Sequence, residues 1–95
     1  MKKGYSETVV EWDDNKNEIN YRKHGIKFET AALVFADPER IEYFDEAHSI
    51  EEDRYIVLGS VHNVLFVVYT MRGEVIRLIS ARVANAIERR IYYGK

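Results

Sequence analysis

Apolar and polar positions divide the chain into stretches of different period. Thr8-Val9-Val10-Glu11-Trp12 is rich in β-branched residues and closes on an aromatic, which predicts a short first strand. Asp13 suits an N-cap and Asp14 puts a carboxylate in the first helical turn, so a polar helix is expected up to about His24. Lys23 and His24 fit its last turn, and Gly25 follows as the C-cap. With so little apolar content, this helix is expected on the surface, anchored by Ile19 and Tyr21. Phe28 opens a second, shorter helix over Glu29 to about Ala36, apolar nearly all round and therefore buried. Pro38 ends it, because the residue before a proline, here Asp37, is pushed out of helical geometry.

Strand patterns follow. Arg40 to Phe44 alternates imperfectly, an acidic loop runs from Asp45 to Asp53, and Arg54 to Gly59 forms the next strand. Val61-His62-Asn63 makes a turn into Val64 to Thr70, a continuous apolar run that reads as a central strand buried on both faces. Met71-Arg72-Gly73 turns the chain into a strand from Glu74 to Ala81. A closing helix is expected from Arg82 to Tyr93, with Val83, Ala84, Ile87 and Ile91 as its apolar stripe and Arg82, Asn85, Arg89 and Arg90 opposite. The order β-α-α-β-β-β-β-α places the chain in the α+β class. Two helices from the N-terminal half and one at the C-terminus pack on a small antiparallel sheet.

Composition narrows the function. The 95 residues suit one domain over 1–95. The lack of cysteine excludes a disulfide framework and a thiolate zinc site. No apolar core follows Lys2 and Lys3, so no signal peptide is expected, and Val64 to Tyr69 is too short to span a membrane. The expectation is a cytoplasmic protein without membrane contact.

The formal charge of −2 does not suggest a nucleic-acid ligand, but the total conceals a division. Residues 37–53 hold eight acids against Arg40 alone. Residues 72–95 hold six bases, five of them arginine, against Glu74 and Glu88. Arginine binds phosphate with two parallel hydrogen bonds and stays charged under all conditions, so its enrichment suits phosphate recognition. The alternative is a solvated basic face. Arg77 stands mid-strand between Ile76 and Leu78, where its guanidinium needs a partner. That partner is either a phosphate ligand on an exposed sheet face or an internal carboxylate such as Glu42 or Glu52. Arg82 falls at the expected strand-to-helix junction, where backbone N–H groups also favour anions, and Arg54 begins a strand of the same sheet.

No glycine-rich phosphate loop, zincin pair or nucleophile elbow is present, and no cofactor or metal is expected. RNA cleavage remains compatible with this inventory. The 2′-OH of RNA is its own nucleophile, so the protein needs cations for the phosphate and groups to move protons.

The sequence also resembles the BrnT toxins of bacterial type II toxin–antitoxin modules. The resemblance rests on Glu11-Trp12-Asp13 with Lys16 and Asn20, on Lys23-His24-Gly25-Ile26 before Phe28-Glu29, on Asp37-Pro38, and on Glu52-Asp53-Arg54-Tyr55. It is most specific over Ile76-Arg77-Leu78-Ile79-Ser80-Ala81-Arg82-Val83-Ala84 and Glu88-Arg89-Arg90-Ile91-Tyr92. It implies a RelE-like fold and an endoribonuclease that arrests translation. It also implies an RNA substrate and a BrnA-type ribbon-helix-helix antitoxin, through which alone operator DNA is reached. Arg54, Arg77 and Arg82 would line the RNA site, with Arg89, Tyr92 and His24 as further candidates. Trp12 reads as a core aromatic. A module that binds RNA or protein through the same basic face without cleaving stays open as the alternative.

Overall fold

The computed structural model describes residues 8–94. After β1 (Val9–Glu11), Asp13 caps α1 (Asp14–His24) by accepting the Lys16 N–H at 3.0 Å. Gly25 ends α1 at φ 74, a conformation that disfavours any side chain. A single turn, α2 (Phe28–Ala31), tightens into a 3-10 helix over Ala32–Ala36, and Asp37 is extended before Pro38. Four strands follow: β2 (Ile41–Phe44), β3 (Tyr55–Val61), β4 (Asn63–Arg72) and β5 (Val75–Val83). A 3-10 turn at Glu46–His48 lies in the acidic loop, and α3 (Ala86–Tyr93) closes the chain.

The element order and class are those expected. The sheet runs β1-β5-β4-β3-β2. From β2 to β5 it is an antiparallel meander, but β1 joins the edge of β5 in parallel, so the sheet is mixed. The reason is topological: two helices between β1 and β2 let the chain return to the sheet with no hairpin constraint on β1.

One sheet face is closed. Phe28, Ala31, Val34 and Phe35 pack on Val57, Leu65, Val67, Tyr69, Ile76, Leu78 and Ala81. Val34 approaches so closely that a Cβ on Gly59 would lie 2.7 Å from Val34 Cβ. Trp12 packs on this core edge-on to Phe28, as expected of a core aromatic. On the other face a smaller cluster of Ile56, Leu58, Val64 and Ala84 is covered by Tyr92 of α3. The β4 run is buried on both faces only in part, since Phe66 and Val68 are half exposed.

Three local expectations are corrected. Ile19 and Tyr21 do not anchor α1; both are exposed, and Asn20 is the buried residue. Its carboxamide accepts the Ala81 N–H at 3.0 Å and donates to the Ala81 carbonyl at 2.9 Å. It thereby occupies the edge of β5 beyond the last β1 partner, Arg77.

Second, α3 begins four residues later than expected. Ala84 N–H still bonds to Val64 carbonyl, so Arg82 and Val83 belong to β5. Asn85 and Glu88 form a reciprocal capping box, and an Asn followed three residues on by Glu is the sequence signal that marks this start. Third, the expected apolar stripe is not the packed face. Ile87 is 63% and Ile91 49% exposed, while Tyr92 is buried.

Candidate nucleic-acid interface

The position of each arginine follows from strand register. Leu78 pairs with Tyr69, but Ser80 pairs with Val68, so Ile79 is an extra residue in β5. Arg77 and Arg82 stand five positions apart, an odd offset, which in a regular strand puts their side chains on opposite faces. The bulge reverses the parity. Arg77, opposite Thr70, and Arg82, opposite Phe66, both lie on the face away from the Phe28–Val34 core.

Each arginine is held by a carboxylate. Arg77 Nη1 donates to Glu11 Oε2 of β1 at 2.8 Å. This is an internal pair, as the alternative reading of Arg77 required, but its partner is neither Glu42 nor Glu52. Glu42 instead accepts from Tyr69 hydroxyl and from Arg40. Parallel pairing of β1 with β5 sets Glu11 directly beside Arg77, a neighbour no local sequence pattern shows. Arg82 donates two parallel bonds to Glu88 at 2.9 and 2.8 Å, and its guanidinium lies 4.0 Å from the centre of the Phe66 ring.

Burial raises the Glu88 carboxyl pKa, but the Arg82 hydrogen bonds, the Asn85 N–H and the Arg82 charge outweigh it, and the net shift is downward. Tyr43 is close enough to sense this pair. Burial, then the charges of Glu88 and Asp45, push its hydroxyl pKa up against the opposing pull of Arg82. Its phenol is therefore protonated at neutral pH. Tyr43, Phe66, Glu11 and Glu88 were not among the site residues read from sequence. The alternation of β2 and β4 places Tyr43 and Phe66 on this face, but only strand pairing shows that it is the face of the arginines.

His24 stands in the last turn of α1, as expected. With Lys16, Ile19 and Lys23 of α1 it lines a shallow depression whose other wall is Ile79 and Ser80 of β5. Cationic side chains of α1 thus border the strand that carries Arg77 and Arg82. The remaining candidates are placed elsewhere. Arg54 precedes β3 and lines a depression of the acidic loop with His48, Ile50, Glu51 and Glu52. Ser49 Oγ closes that loop by accepting the Arg54 N–H at 2.8 Å. Arg89 caps the end of β5, donating to Ala84 carbonyl at 2.8 Å. Tyr92 is a core residue whose hydroxyl donates to Asp37. Burial first, then the hydrogen bond and charge of Asp37, push its pKa up to about 12.

The whole is a five-stranded α+β domain with paired arginines on one partly open sheet face. The solved structure of the Brucella abortus ribonuclease toxin BrnT has this fold. It superposes with a TM-score of 0.64 at 20% identity, over 82% of this chain and 97% of that one. The family model for the ribonuclease toxin BrnT of type II toxin–antitoxin systems matches residues 12–88, and the chain belongs to that family. No curated protein matches the chain. Among the described residues no helix is long and apolar enough to cross a membrane.

Proposed function

We propose that this chain is a metal-independent endoribonuclease of RelE-like type that arrests translation in the bacterial cytoplasm. A BrnA-type antitoxin silences it, and that partner alone contacts operator DNA. The observation that carries the reading is the bulge at Ile79, which gathers Arg77 and Arg82 on one face, with Lys16, Lys23 and His24 along its rim.

The chemistry asks little more of the protein. The 2′-oxygen of RNA bonds to the adjacent phosphorus, and the bond from phosphorus to the 5′-oxygen breaks. One proton leaves the 2′-OH and one is delivered to the departing oxygen. Arg77 and Arg82 stabilise the charge that develops on the phosphate oxygens. His24, on the rim beside Ser80, is the imidazole assigned to take the proton, and the protonated Tyr43 hydroxyl gives one. Phe66 backs the Arg82 guanidinium 4.0 Å from its ring centre and holds it on this face.

The test is induced expression in bacteria lacking the antitoxin, joined to RNA digestion by purified protein in EDTA. Growth arrest and EDTA-resistant cleavage are expected. Unimpaired growth and intact RNA from a folded protein overturn the reading and favour the non-catalytic module.

A further inference from the structure

We propose that Glu88 is an internal stand-in for an RNA phosphate on Arg82, and that the RNA strand must displace it to engage the site. The inference rests on the RNA-cleaving reading above and concerns how its site is kept closed to the wrong ligands.

Glu88 and Arg82 meet in the two-bond geometry by which arginine recognises phosphate, Nη1 to Oε1 at 2.9 Å and Nη2 to Oε2 at 2.8 Å. Phe66 lies against the guanidinium plane, and Nη1 also reaches Val83 carbonyl at 3.3 Å. Both terminal nitrogens of Arg82 are therefore engaged before any ligand arrives. The carboxylate is itself held in place. Its Oε1 accepts the Asn85 N–H at 2.9 Å, and the Glu88 N–H donates to Asn85 Oδ1 at 2.8 Å. The Glu88 side chain is only 13% exposed, so the first turn of α3 presents its charge to Arg82 as a fixed group.

Arg77 is held more lightly, by one nitrogen and a half-exposed Glu11. The two arginines thus carry no net charge with their partners. A lone phosphate has one arginine to win from a pre-aligned carboxylate. A strand also meets Arg77, Lys16 and Lys23, and those contacts offset the opening of the Arg82–Glu88 pair. The site selects an extended polyanion over a mononucleotide.

The two tasks of Glu88 are separable, because a capping box accepts Glu or Gln at this position while only Glu opposes Arg82 with a full charge. Glu88→Gln is compared with the parent chain and with Glu18→Gln, which removes an exposed partner of Arg22 on α1. The probe is a fluorescein-labelled 2′-O-methyl oligoribonucleotide, which has no free 2′-OH and is not cleaved. Binding is read by fluorescence anisotropy, and thermal melting reports the fold. The Glu88→Gln chain is expected to bind about tenfold tighter, the change from weakening one charge-assisted pair, and Glu18→Gln to leave affinity unchanged. Equal or weaker binding by a folded Glu88→Gln chain overturns the inference, as does equal tightening by Glu18→Gln. Failure of every chain to bind the probe removes the RNA-cleaving reading and this inference with it.

Discussion

The two faces of the sheet are built from alternate residues of the same strands, yet they differ in almost every physical respect. On the closed face, Phe28, Val34, Val57 and Leu65 lie at or below 2% exposure and the contacts are mainly apolar, with the Tyr69 hydroxyl bonded to Glu42 at the margin. On the other face α3 covers only the end near Leu58, Val64 and Ala84, and the rest carries Arg77, Arg82, Tyr43 and Phe66. Stability is concentrated on one side and ionic recognition on the other. In a chain of 95 residues this economy matters, because so small a domain has little surface to spare for both on one face.

The contrast breaks first at Phe28. Phe28→Ala is expected to cost about 3–5 kcal/mol, since the side chain is fully buried among rigid neighbours. Denaturant titration should show a loss large enough to leave little folded protein, and a shift below about 1 kcal/mol would mean this face is not the stabilising one. Next comes Asn20, where the faces meet at the β5 edge. Asn20→Ala strands the buried N–H and carbonyl of Ala81 and should cost about 1–3 kcal/mol. Hydrogen exchange at Ala81 should accelerate beyond the global change.

On the open face the effects should fall chiefly on activity. Arg77→Ala and Arg82→Ala should each lower RNA cleavage about tenfold or more, equivalent to about 1.4 kcal/mol of transition-state stabilisation, with both chains folded and melting lowered more by the Arg82 change, which leaves Glu88 without its guanidinium partner. Full activity in both would show that the face is not the site.

The smallest effect belongs to Tyr92, a site candidate from sequence that the structure places in the core. Tyr92→Phe should keep activity and lose about 1 kcal/mol from the bond to Asp37. The folded pKa of about 12 exceeds the ordinary 10.0, so the bond's contribution is intact below pH 10 and fades as pH rises toward 12. The variant's melting temperature should therefore fall less steeply over that alkaline interval.

Much of the fold was legible in residue order. Asp13, Gly25 and Pro38 set element ends through local hydrogen bonds and backbone sterics, and each does so in the structure. The start of α3 was legible too, in the Asn85 and Glu88 spacing, but the apolar residues before and after it suggested a longer helix. Ile87 and Ile91 misled for the same reason: periodicity shows which residues share a helix face but not whether anything covers that face. The site was less legible. Arg77 and Arg82 could be chosen by type, while Glu11, Tyr43 and Phe66 are distant in sequence and become neighbours only through strand pairing.

The sequence by itself determined the caps, the turns, the alternation of the strands and the surplus of arginine near the end, because these depend on neighbours within a few residues. The tertiary structure alone decided that β1 runs parallel beside β5 and that Asn20 seals the same edge. It also decided that Ile79 bulges. Register is a property of two strands together, and one extra residue in one of them turns every later side chain to the other face. Here that turn is what puts Arg82 beside Phe66 and on the same side as Arg77.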